Sequence, residues 1–137
     1  MTEQELIKRA LEARTFSYAP YSGFQVGAAL LAGSGKLYTG CNIENAAFTP
    51  TNCAERTAFF KAVSEGEKEF LAIAIVGGKK EEGAKEFCAP CGVCRQVLRE
   101  FCDPEQFRII LGNENLEYQE YTLADLLPEG FGKGNLS

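Results

Sequence analysis

Residues 51–76 read TNCAERTAFFKAVSEGEKEFLAIAIV, and how this stretch divides decides the fold. From Cys53 onward, Ala54, Thr57, Ala58, Phe60, Lys61 and Ala62 suit a helix that stops near Gly66, a residue able to close a helix in the left-handed conformation. The run FLAIAIV, Phe70 to Val76, is almost wholly apolar, as in a strand covered on both faces. A helix leading into such a strand predicts a sheet with helices on both sides and Phe70–Val76 near its centre. The same stretch sets a thiol, Cys53, two residues ahead of a carboxylate, Glu55, in a chain that contains no histidine.

Outward from this unit, Thr2 followed by Glu5 has the capping-box pattern, and Leu6, Ile7, Ala10 and Leu11 repeat on one helical face, which predicts a first helix to about Arg14. Tyr18-Ala19-Pro20-Tyr21-Ser22-Gly23 breaks that pattern. FQVGAALL (Phe24 to Leu31) and KLYTGCNI (Lys36 to Ile43) read as strands, and AGSGK between them is short enough for a hairpin, so the two run antiparallel. Beyond Val76, Gly77 to Pro90 is polar and glycine-bearing and reads as a loop that delivers the next helix, Cys91 to about Phe101. FRIILG (Phe107 to Gly112) is a buried strand. The polar turn around Asn113 to Asn115 is too short for a crossover, so LEYQEYT returns antiparallel to it. A short helix near Thr122 to Leu127 ends at Pro128 and leaves the tail EGFGKGNLS. The order α-β-β-α-β-α-β-β-α predicts an α/β fold, one mixed sheet between helices, in a single domain over residues 1–137.

Composition limits the partners. Hydrophobic residues make up 45% of the chain and charged residues 24%, a globular balance. Fourteen basic against nineteen acidic side chains give a net charge of −5, with no basic run to neutralise a phosphate backbone, which argues against nucleic acid. The start, MTEQELIKRALEAR, lacks the apolar run of a signal peptide or membrane span, so the expected location is cytoplasmic and away from membranes. There, six cysteines read as reduced thiols, metal ligands or catalytic groups rather than disulfides.

Two stretches carry chemistry: Cys53-Ala54-Glu55 and APCGVC, Ala89 to Cys94. Cys91 and Cys94 lie three apart, so the first turn of one helix can offer both to one ion, and Pro90 helps to start that helix. Cys53 comes from another helix start, and such starts gather beyond the carboxyl ends of the strands, where open α/β sheets bind ligands. Three thiolates would leave a zinc site with a formal charge of about −1, weakening its power to acidify water. The positive ends of two helix dipoles oppose that loss, and Arg56 can draw electron density from a thiolate. Without histidine, the general base must be a carboxylate or something less common, and Glu55 adjoins a ligand.

Each piece has a blander reading. Cys53 can be a packed thiol beside a surface glutamate, and one CxxC can be a redox pair or half a structural zinc site. Cys88, Cys91 and Cys94 form CxxCxxC, but Leu98 stands where a ferredoxin run would place its next cysteine. Cys41 and Cys102 read as small buried hydrophobes, and Cys88 stays open as a spare ligand.

With these motifs the chain resembles the zinc-dependent cytidine deaminases, specifically the small homotetrameric type with three cysteine ligands. The likeness extends through YAPYSGFQVGAAL (Tyr18 to Leu30), GCNIENAA (Gly40 to Ala47), NCAERTA, PCGVCRQ and LLPEGFG (Leu126 to Gly132). It implies a three-layer α/β/α cytidine deaminase-like fold with a mixed five-stranded sheet. It implies one Zn2+ per chain on Cys53, Cys91 and Cys94, with Glu55 as the proton-carrying catalytic residue and Arg56 beside the thiolates. It further implies that Phe24, Asn42, Glu44, Ala54 and Phe131 bind a nucleoside, Asn42 and Glu44 at the ribose hydroxyls and Phe131 from a neighbouring subunit. The implied reaction is hydrolytic deamination of cytidine and deoxycytidine in pyrimidine salvage. Phe48 departs from the family, whose members often have tyrosine there. The rivals are a deaminase of another aminated pyrimidine or of a nucleoside antibiotic such as blasticidin S, and a non-catalytic zinc module closed by a fourth thiolate.

Overall fold

In the computed structural model, which describes residues 1–137, helix α1 (Glu3–Arg14) starts where the capping box places it. Thr2 Oγ1 accepts from the Glu5 amide at 3.1 Å and Glu5 Oε2 accepts from the Thr2 amide at 3.2 Å. Leu6, Ile7, Ala10 and Ala13 are buried along one face. Strands β1 (Phe24–Ala32) and β2 (Leu37–Cys41) form the expected antiparallel hairpin, with Leu31 opposite Leu37. Helix α2 (Ala54–Ser64) leads to β3 (Phe70–Lys79), and α3 (Gly92–Phe101) leads to β4 (Arg108–Gly112). Strand β5 (Tyr118–Thr122), the single turn α4 (Leu123–Leu126) and a 3-10 turn (Lys133–Asn135) complete the chain.

The sheet order is β2-β1-β3-β4-β5, so β3 is central. It runs antiparallel to β1 and parallel to β4, and β5 returns antiparallel to β4, which makes the sheet mixed. Alternate residues of β3 enter different cores. Ile73 and Ile75 join Phe59, Leu98 and Phe107 on the side of α2 and α3, whereas Ala72, Ala74 and Val76 meet Leu6, Ile7 and Ala10 of α1. The architecture is the three-layer α/β/α arrangement read from the sequence.

Three details differ from that reading, and α2 adds one that it left open. β3 runs three residues past the apolar run, because Gly77, Gly78 and Lys79 continue the ladder opposite Val26, Gln25 and Phe24. Polarity marks loops only by correlation, and a close-packed sheet edge tolerates glycine. The guanidinium of Arg14 holds this edge, donating to Gln25 O at 2.9 Å and Gly78 O at 2.8 Å. β2 stops at Cys41, with Ile43 forming only isolated bridges to Tyr18 and Asn52. In α2 the buried aromatic is Phe59, whose ring lies 4.8 Å from Phe70, while Phe60 is exposed. Cys102 is buried as expected, but Cys41 is only half-buried at the end of β2.

Candidate active site

Sequence reading starts the second and third helices at Cys53 and Cys91; the helices begin one residue later, and both cysteines are extended cap residues, at φ −78°, ψ 157° and φ −67°, ψ 166°. Cys94 follows in the first turn of α3. The start of α2 is pressed onto β2 at Gly40, where an added Cβ would lie 2.5 Å from Ala54 O and 2.6 Å from Ala58 N. Only glycine permits that approach.

The sulfurs of Cys53, Cys91 and Cys94 lie within 4.8 Å of one another. Cys53 and Cys91 are 3.8 Å apart, and Cys91 and Cys94 are 3.5 Å apart. Zinc–sulfur bonds of about 2.3 Å in a tetrahedron require sulfurs about 3.8 Å apart, so the donor set fits Zn2+. Neither Cys53 nor Cys91 spends its thiol on capping its own helix. Cys88 stands outside the cluster, which leaves three thiols at the centre.

Electrostatics favour a charged sulfur here. The Cys53 thiol is held below its ordinary value, first by the neighbouring Cys94 thiol and then by Arg56, whose Nη2 donates to it at 3.2 Å. The Cys53 thiol and burial push the Cys94 thiol up. The Cys53 thiolate in turn holds the Arg56 guanidinium above its ordinary value. Arg56 Nε is buried with no hydrogen-bond partner, so the side chain is committed to the thiolates at the expense of one donor.

Glu55, in the first turn of α2, is 4% exposed. Burial pushes its carboxyl up to about 7; its own backbone amide opposes the shift and the Cys53 charge adds to it. A cavity of about 180 Å³ is lined by Val26, Asn42, Thr51, Asn52, Cys53, Ala54, Glu55, Cys88, Ala89 and Cys91. It brings Asn42, Ala54 and Glu55 together with two of the clustered thiols.

The other expected residues lie around this cavity rather than in it. Phe24, half on the surface, lines a neighbouring space of about 600 Å³ with Gly77, Phe87 and Cys88. Glu44 lines a third cavity, with Tyr21, Ser22, Phe48 and Thr51. Its Oε1 accepts from the amides of Tyr21 at 2.9 Å and Ser22 at 3.2 Å, and these bonds, the Ser22 hydroxyl first, hold its carboxyl below the ordinary range. Phe131 lines none of these cavities and is 56% exposed; its carbonyl accepts from Gln96 Nε2 at 2.8 Å. Asn42 already uses both ends of its amide on β1, accepting from Val26 N at 2.9 Å and donating to Phe24 O at 2.8 Å. One N–H and one lone pair remain free.

Sequence reasoning left Cys88 open and passed over Val26, Thr51 and Asn52. Burial pushes the Cys88 thiol up to about 11, with the Glu55 and Cys53 charges adding. The signal for Thr51 and Asn52 was their place just ahead of Cys53; nothing marked Val26 among the apolar residues of its strand.

Comparison with known proteins agrees with this geometry. Residues 1–109 match the model of the cytidine and deoxycytidylate deaminase zinc-binding region. The chain is 50% identical over 137 residues to a cytidine deaminase of Sporosarcina psychrophila, covering 100% of this chain and 96% of that one. It is likewise 50% identical over 131 residues to a cytidine deaminase of Halalkalibacterium halodurans, covering 96% and 95%. The crystal structure of cytidine deaminase from Burkholderia pseudomallei superposes with a TM-score of 0.86 at 46% identity, over 96% of this chain and 100% of that one. Together with a three-thiol cluster fitted to Zn2+, these matches show that the chain belongs to the cytidine and deoxycytidylate deaminase family.

Proposed function

We propose that this protein is a zinc-dependent hydrolase that deaminates cytidine and deoxycytidine to uridine and deoxyuridine, releasing ammonia. The observation that carries the reading is Glu55: a buried carboxyl in the same cavity as Cys53 and Cys91, able to hold or give up a proton near neutrality. Cys53, Cys91 and Cys94 hold the metal, one ion per chain. When bound, zinc supplies the Lewis acidity that makes water a nucleophile at neutral pH. Glu55 takes one proton from the attacking water and passes it to the ring N3, then takes the water's second proton and delivers it to the amine, which departs as ammonia. Arg56 keeps the Cys53 thiolate charged and less electron-donating.

A nucleoside can span two cavities because Thr51 lines both. The base then lies against Ala54 and Glu55, and the sugar hydroxyls meet the free donor and acceptor of Asn42 and the carboxylate of Glu44. Phe24 contributes its ring from the adjoining space. The exposed ring of Phe131 reaches the base of a neighbouring subunit, which requires an oligomer, here a homotetramer. A single deaminase domain of this kind suits a cytoplasmic enzyme of pyrimidine salvage; no helix is long and apolar enough to cross a membrane. A closed zinc module is disfavoured because Cys88 is outside the cluster.

The test is ammonia release from zinc-loaded protein with cytidine, deoxycytidine, cytosine and CMP. The two nucleosides should be turned over. Cytosine should fail, since it brings no hydroxyls to Asn42 and Glu44 and so forgoes the contacts that would hold its ring at Glu55, and Glu44 should repel the phosphate of CMP. Efficient turnover of cytosine or CMP would overturn this reading.

A further inference from the structure

Cys88 is unused by the reaction just described, yet it is the one residue that lines both the 180 Å³ site cavity and the 600 Å³ space beside it. It lies against the backbone of Gly77, where an added Cβ would come 2.9 Å from its Sγ and 3.1 Å from its Cβ. The Phe24 ring closes on the same glycine, with Cε1 3.2 Å from that position. Cys88 is therefore backed by main chain and cannot withdraw. It is not drawn into the metal cluster either.

The walls of the site cavity come from a few segments with distinct tasks. Cys53, Ala54 and Glu55 belong to the start of α2, and Asn42 follows β2. A cytosine that presents C4 and N3 to the thiol cluster and Glu55 commits its C2–N3–C4 edge to the α2 start, and N1 carries the sugar toward Asn42. The C5–C6 edge is then left to the other walls, Val26 of β1 and the loop residues Cys88 and Ala89, of which Cys88 alone also borders the larger space. We infer that Cys88 is a specificity-determining wall that limits the substituent tolerated at C5 of the pyrimidine, and that shortening its side chain opens the C5 side into the larger space. The inference rests on the functional reading given above.

The experiment compares zinc-loaded wild type, Cys88→Ala and Cys88→Leu on cytidine and 5-methylcytidine, taking for each protein the ratio of the two kcat/KM values. The electronic effect of the methyl group on the chemistry is common to all three proteins and cancels between them. A methyl-sized change in an apolar pocket shifts such ratios by roughly 10- to 200-fold. Cys88→Ala should raise the relative rate on 5-methylcytidine by about 10-fold, and Cys88→Leu should lower it, with one zinc per chain retained in both. A ratio within about twofold of wild type in Cys88→Ala, or loss of zinc from that variant, would overturn the assignment. No turnover of cytidine by zinc-loaded wild type would overturn the functional reading itself and the inference with it.

Discussion

Glu55 shows how much a single position must reconcile. Its carboxyl is excluded from solvent, next to a charged thiolate, at the start of a helix whose free amides favour negative charge. Burial wins that competition, which puts the group in the range where a proton can be taken and returned. Glu55→Gln keeps the shape and removes the exchangeable proton, so the variant should retain zinc and fold while turnover falls by at least 10²–10⁴, the usual worth of positioned proton transfer. Metal analysis and ammonia release on the same sample check this; near-normal turnover would exclude Glu55 as the proton carrier. At this scale the sequence was informative only through the joint pattern: Cys53-Ala54-Glu55 alone reads equally as a packed thiol beside a surface glutamate, and it was CxxC at a second helix start, in a chain without histidine, that singled out Glu55. It was uninformative where a side chain's direction mattered. Cys94 was legible beside Cys91 in the first turn of one helix, but Cys88, three residues the other way, was not: the fold sets it against Gly77 and outside the cluster.

Elements hold these residues in place through close backbone contacts. Gly40 lets β2 touch the first turn of α2, and any Cβ there must displace the helix that carries Cys53 and Glu55. Gly40→Ala should therefore lower melting temperature, zinc occupancy and turnover together, the cost of overpacking being about 1–3 kcal/mol or more. Gly92, although adjacent to Cys91, has nothing within 4 Å of its would-be Cβ. Gly92→Ala should leave melting temperature unchanged or slightly raised, by up to about 1 kcal/mol of stability. If the two variants melt alike, close approach at Gly40 is not what fixes α2.

Another tie joins α1, β4 and β5. Arg108 donates to Glu3 at 2.6 Å and Glu120 at 2.7 Å, and its hydrogen bonds hold both carboxyls below the ordinary range. A lowered carboxyl contributes stability that is present above the unfolded value of about 4.3 and is lost as pH falls through the folded value. The melting-temperature gap between wild type and Arg108→Gln should thus be largest near neutrality and close below about pH 4. A gap that persists to pH 3 would assign the effect to packing of the arginine stem. Element types, the two hairpin pairings and the central place of β3 were legible because apolar runs and turn residues are local signals, whereas its pairing with β1 on one side and β4 on the other was not. The extension of β3 through Gly77–Lys79 was not, since it depends on Arg14, more than sixty residues away, holding the sheet edge by its carbonyls.

Over the whole molecule, the tail is the part that one subunit does not explain. Phe131 is held by its backbone to Gln96 while its ring is exposed and lines none of the cavities described above. If it serves a neighbour, mixed oligomers of Glu55→Gln and Phe131→Ala chains should regain activity, because some sites then combine a sound Glu55 with a sound Phe131. Exchange of chains without recovery would restrict Phe131 to its own subunit. The central strand carries a different consequence, in the order of synthesis. Its partner β1 precedes it, so the β2-β1-β3 half of the sheet can assemble once residue 79 has emerged from the ribosome. The other edge of β3 stays open until β4 arrives at residues 108–112, and through that interval an apolar strand presents unpaired amides and carbonyls. A chain ending before Arg108 should collect in the insoluble fraction, and refolding yield of the full chain should fall steeply as its concentration rises. The strand that organises the finished sheet is thus the one most exposed to misassociation while the protein is being made.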